Sequence, residues 1–88
     1  MPGTIVYELS AHAARVLAER EIPVAWGKRV LFMPERTVPD AVDPMLRHAL
    51  GRRIPERDDR VLRVIYNQAI LSWRIVTAYF DRGMRGQL

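Results

Sequence analysis

Two segments of this chain set arginine into runs of β-branched and aromatic residues: Arg60 to Asn67 (RVLRVIYN) and Ser72 to Arg82 (SWRIVTAYFDR). Such residues suit a pleated, half-buried surface. A guanidinium placed among them must stay wet or meet an anion, because an unpaired buried charge is costly. A small sheet that spends a face on arginine is prepared to hold something negative, and phosphate is the commonest such group. Two histidines, His12 and His48, add side chains able to move protons near neutral pH. Cations beside a neutral base are the requirements of metal-independent RNA cleavage. In that reaction the 2′-hydroxyl attacks phosphorus, a base takes its proton, cations hold the pentavalent phosphate and an acid serves the leaving oxygen.

The cation candidates are Arg63 and Arg82, with Arg60 as a third. Their competing structural reading is surface solubility or ion pairing with Asp58, Asp59 or Asp81. Simple alternation along the last strand puts Thr77 and Tyr79 on one face, available to phosphate or base, and Arg74 on the other, solvated. His12 falls in the first turn of a helix, a place suited to a neutral base. Arg15, one turn further on, is a substrate-binding candidate. His48 lies between Arg47 and Arg52 and is the second base candidate. Either histidine reads equally well as a structural hydrogen-bonding group, and Trp26 and Trp73 read as core.

Composition bounds these readings. With 88 residues the chain makes one small domain that buries roughly 60–65% of its unfolded surface. The formal charge is +4, and of the 14 basic residues 13 are arginine, with Lys28 the exception. Arginine offers phosphate a planar fork and keeps its charge, although codon bias explains the preference over lysine equally well. The balance suits nucleic acid or an acidic protein partner. Without cysteine there is no disulfide framework and no thiolate metal site. No metal or cofactor is expected. There is no signal-peptide pattern and no apolar run near ~20 residues, so a cytoplasmic protein without a membrane partner is expected.

The elements that must position these residues follow from pattern. Thr4 to Leu9 reads as an edge strand, and Ser10 as the N-cap of a helix from Ala11 to Arg20 with Ala13, Ala14, Leu17 and Ala18 on one face. Pro23 opens a second helix, striped by Ile22, Trp26, Val30 and Met33, that Pro34 ends. Glu35 to Pro44 reads as a surface loop. Met45 to Ile54 is open to a short helix or a strand, and the alternation of Leu46, His48 and Leu50 favours the strand. A hairpin loop at 55–59, a turn at 67–71 and a frayed C-terminus at Gly83 and Gly86 complete the chain. The fold class expected is α+β: a two-layer βααβββ domain, with an antiparallel sheet and two N-terminal helices packed on one face.

The opening YELSAHAARVLAEREIP, with Ser10, His12, Arg15 and Arg20, together with RVLRVIYN…RIVTAYFDR, resembles a family of small bacterial domains related to the RelE, ParE and BrnT toxins. The resemblance covers nearly the whole chain, 1–88, as a single toxin-like domain. It implies a toxin neutralised by an antitoxin, acting on RNA (mRNA, tRNA or the ribosome) as an endoribonuclease or, in ParE-like members, on gyrase without catalysis. It also implies that Arg63 and Arg82 hold the scissile phosphate. RelE-like enzymes carry a tyrosine beyond the last strand. Gly83 to Leu88 holds none, which leaves Tyr79 or a histidine for that role. A plain basic interaction module is the third reading.

Overall fold

The computed structural model describes residues 7–52, 54, 60–68, 73–84 and 86–88. Strand β1 (Tyr7–Leu9) leads into helices α1 (Ala11–Glu19) and α2 (Val24–Phe32). Strands β2 (Arg36–Pro39), β3 (Leu46–Gly51), β4 (Leu62–Asn67) and β5 (Trp73–Phe80) follow, and a 3-10 turn spans Arg82–Met84. The sheet order is β1-β5-β4-β3-β2. Residues 4–6 of the expected first strand, the hairpin loop at 55–59 and most of the turn at 67–71 lie outside the described residues.

The two-layer α+β expectation holds, with two corrections. The first concerns an added strand inside the expected loop: Arg36–Pro39 pairs antiparallel with β3 at the sheet edge. Its side chains are almost all exposed, so it carries no apolar alternation to read, and Pro39 is tolerated because an edge strand can spare an N–H. The second is that the sheet is mixed. β5 enters between β4 and β1, antiparallel to the first and parallel to the second.

Ser10 caps α1 as its type predicts. Its Oγ accepts from the Ala13 N–H at 3.0 Å, and its own N–H donates to the Ile75 carbonyl at 3.0 Å. The cap therefore also pins the helix to β5. The buried face of α1 is Ala13, Val16 and Leu17. Ala14 and Ala18, expected inside, are exposed; turning Val16 inward in their place removes more apolar area from water. At the other end Glu21 takes φ 54°. The Ile22 N–H returns to Leu17 O and the Glu21 N–H to Ala18 O, a Schellman motif that tucks Ile22 into the core.

Both helices cover one face of the sheet. Leu62, Val64 and Tyr66 of β4 point into this layer with Ala49, Ile75 and Ala78. Leu17, Ile22, Val30 and Leu31 meet them from the helix side. Trp26 and Trp73 pack against the same core as expected, Trp73 stacked on Tyr66 with ring centroids 5.1 Å apart. Met33, expected in the α2 stripe, is exposed, and Leu31 is buried instead. Gly51 permits the close approach of α2, since a Cβ there would lie 3.2 Å from Val30 Cγ2. Gly51→Val should cost about 1–3 kcal/mol by overpacking, read as a lower urea midpoint; an unchanged midpoint would show that α2 can shift freely.

The opposite face is left open by the helices, and its rows follow from register. Arg36, Leu50, Arg63 and Tyr79 lie in one row, and Val38, His48, Ile65 and Thr77 in the next. A register shift beyond Ile65/Tyr66 pairs Tyr66 with Ile75 and Ile65 with Thr77, leaving Val76 as the extra residue. This bulge corrects the simple alternation. Arg74 pairs with Asn67 and so shares the face of Thr77 and Tyr79. No helix among the described residues is long and apolar enough to cross a membrane.

Candidate functional site

The open face joins four side chains end to end. His48 Nε2 lies 2.7 Å from Asp40 Oδ1, His48 Nδ1 lies 2.6 Å from Arg63 Nη1, and Arg63 Nε donates to Asp81 Oδ2 at 2.8 Å. An arginine N–H can only donate, so Nδ1 is the acceptor and Nε2 carries the proton given to Asp40. Both ring nitrogens are thereby engaged. His48 has no lone pair left with which to act as a base in this arrangement, and its side chain is only 13% exposed. Arg63, at 15%, is likewise no free cation.

The two carboxylates at the ends are held by backbone. Asp40 Oδ2 accepts the Val42 and Asp43 N–H groups at 3.1 and 2.8 Å, closing the turn between β2 and β3. The Asp43 N–H, then the His48 ring and the Val42 N–H, hold the Asp40 carboxyl below its ordinary 3.8, at about 2. Asp81 Oδ1 accepts the Gly83 N–H at 3.0 Å and so shapes the C-terminal 3-10 turn. The C-terminus, expected to fray, returns instead across the sheet edge, where Arg36 Nη2 donates to Gln87 O at 3.2 Å.

A carboxyl whose folded pKa lies below its unfolded value adds stability that is complete above the unfolded pKa and is lost as pH falls through the folded one. Unfolding midpoints should therefore drop between about pH 4 and pH 2, and Asp40→Asn should flatten part of that drop. Parallel acid profiles for the two proteins would rule the carboxylate out as its cause.

Three further arginines meet elsewhere, around a cleft of about 520 Å³ at the end of β5, lined by Arg20, Ile22, Arg60, Val61, Phe80, Asp81 and Arg82. Arg20 reaches in from the end of α1. Its Nη1 donates to the Ala78 carbonyl at 2.8 Å, on β5 beyond the last residue that β1 pairs, and its Cζ stands 6.0 Å from the Tyr79 ring centroid. Arg60 and Arg82 are exposed, and neither pairs with another side chain among the described residues.

Of the residues singled out by sequence, the sheet brings His48, Arg63, Thr77 and Tyr79 onto one face, and Arg60 and Arg82 into the adjoining cleft. His12 and Arg15 stand apart, exposed on the helix layer. There Arg15 Nη2 and His12 Nδ1 are 3.2 Å apart, and Arg15 also approaches Glu19 at 3.9 Å. Arg74 is held by Glu8. Asp40 and the cleft role of Arg20 escaped the sequence reading. Asp40 sat in a segment without strand pattern, and the only signal for Arg20 was its position at the end of an amphipathic helix. No family model, no curated protein and no solved structure matches this chain.

Proposed function

We propose that this protein is a toxin-like RNA-binding domain whose cleft arginines hold backbone phosphate, and that it is controlled by an antitoxin, as its resemblance to RelE- and ParE-related domains implies. The observation that carries RNA binding is the convergence of Arg20, Arg60 and Arg82 on one cleft, all three exposed and none in an ion pair among the described residues. The arginines of the open face are instead committed within the chain: Arg63 to Asp81, Arg74 to Glu8 and Arg36 to Gln87 O. Phosphate contacts release counterions, so affinity should fall steeply with salt.

Ribonuclease activity is the reading with the second support. Tyr79 lies directly across from Arg63 in the register and has the Arg20 guanidinium over its ring. Of the tyrosine and histidines singled out by sequence it is the one that meets a cleft arginine, whereas His48 has both nitrogens occupied and His12 lies on the helix layer. Cleavage would then proceed by attack of the 2′-oxygen on phosphorus with loss of its proton to water, while the P–O5′ bond breaks, Tyr79 gives a proton to the leaving 5′-oxygen and arginine holds the phosphate. A non-catalytic ParE-like inhibitor of gyrase, or a basic protein-interaction module, would use the same arginines without Tyr79.

Purified protein incubated with total RNA in EDTA separates these. Metal-independent cleavage leaves 2′,3′-cyclic phosphate or 3′-phosphate ends, and Tyr79→Phe should lower its rate on the order of 10²-fold or more. Intact RNA with salt-dependent binding supports the binding domain alone. A requirement for Mg²⁺ or 3′-hydroxyl ends would refute the cleavage chemistry, and binding that ignores salt would refute RNA as the ligand.

A further inference from the structure

The cleft is more than a ring of charge. Behind its arginines lie Phe80, half-buried, and the buried Ile22 and Val61. Trp26 meets Phe80 with ring centroids 6.3 Å apart and planes at 65°, an edge-on packing that braces the Phe80 ring. Arg20 is held by the Ala78 carbonyl, and Asp81, the acid in the lining, is already occupied by Arg63 and the Gly83 N–H. An apolar floor under a cationic rim, about 520 Å³ in volume, has the size of a small-ligand site. It matches one nucleotide unit better than a bare phosphate, because the half-buried Phe80 in the lining offers apolar surface that a base can use and an anion cannot.

We infer that the cleft is a subsite for a single unstacked nucleotide, its base on Phe80 and its phosphate between Arg60 and Arg82. The inference rests on the RNA-binding reading for the source of that nucleotide, and the same chemistry fits a free nucleoside monophosphate. Single-stranded RNA is commonly held by stacking splayed bases on aromatic rings while arginines track the backbone. Here one ring and a small set of cations would serve one nucleotide.

The test is a titration of the intact protein, followed by backbone amide NMR, with adenosine 5′-monophosphate, ribose 5-phosphate, adenosine, an unstructured RNA oligonucleotide and an acidic peptide. The mononucleotide should shift Ile22, Val61, Phe80 and Arg82. It should bind roughly tenfold more tightly than ribose 5-phosphate, the usual scale of base stacking. Phe80→Leu should erase that preference and keep phosphate binding, while Arg60→Ala should weaken both ligands; amide spectra of the variants verify folding. Equal affinity for the nucleotide and ribose 5-phosphate overturns the base subsite, and so does an acidic peptide that displaces the nucleotide at lower concentration. RNA that binds without shifting these residues overturns the inference and leaves RNA binding standing. RNA that competes with the mononucleotide supports an RNA source. A mononucleotide that binds where RNA does not supports the cleft as a free-nucleotide site and refutes the RNA reading.

Discussion

Arg60→Ala combined with Arg82→Ala should lower RNA affinity on the order of 10²-fold at low salt and leave the fold intact. Each residue is exposed and outside any ion pair among the described residues, so its removal leaves no carboxylate uncompensated there. Surface changes of that kind cost within about 0.5 kcal/mol of stability. Each removed phosphate contact should also reduce the slope of log affinity against log salt by about 0.7 for single-stranded RNA. In bacteria the same double variant should relieve any growth arrest caused by the wild type. The measurement is filter binding at several salt concentrations, with a urea melt on the same preparations. A folded double variant with full affinity and an unchanged salt slope would remove the cleft from the account.

The choice of Arg60 and Arg82 for that experiment shows where the sequence was legible. The arginine-bearing strands could be read from residue type alone: RVLRVIYN and WRIVTAYF alternate well enough to give β4, most of β5 and the open face on which Arg63, Thr77 and Tyr79 meet. His48 on a strand followed from the alternation of Leu46, His48 and Leu50. The unread features depend on which strands are neighbours. Asp40 reaches His48 only because Val38 pairs with His48, and β2 is exposed and patternless. Arg74 changed faces because of one extra residue at Val76, and a bulge leaves no mark in side-chain type.

Charge was the harder matter. Counting 13 arginines says nothing of which are spent inside the fold. Arg63 and Arg82 look alike in sequence, each beside a β-rich run. Arg63 sits mid-strand, where its row neighbour is Tyr79 and Asp81 comes within 2.8 Å. Arg82 begins the 3-10 turn past the sheet, with its side chain toward the cleft. The pairing of Arg63 with Asp81 was one of several open possibilities until the β4–β5 register selected it. The resemblance to toxin domains implies phosphate at both arginines, but the geometry supports that role better for the exposed one.

Arg63→Ala should therefore behave as a stability variant. It removes the centre of the Asp40–His48–Arg63–Asp81 chain, leaving Asp81 without its cation and His48 Nδ1 without its donor, both at positions shielded from water. Orphaning a shielded charged partner costs about 2–4 kcal/mol, and in a domain of this size each kcal/mol lowers Tm by roughly 4–8 °C. A fall of about 10–25 °C is expected, against almost none for the Arg60 and Arg82 changes. His48→Ala should fall by a similar or smaller amount, and His12→Ala by almost nothing, since His12 is exposed on α1. A double-mutant cycle on Arg63→Ala and Asp81→Ala then separates the pair from its surroundings, because removing both partners relieves the unpaired charge that either single change leaves. If Arg63→Ala melts like the wild type yet loses RNA binding, Arg63 is a ligand residue after all and the pairing with Asp81 opens when RNA arrives. If it melts early while its folded fraction binds RNA normally at low temperature, the four-residue chain is the scaffold that holds β3, β4 and the C-terminal turn in place, and the phosphate is left to the cleft.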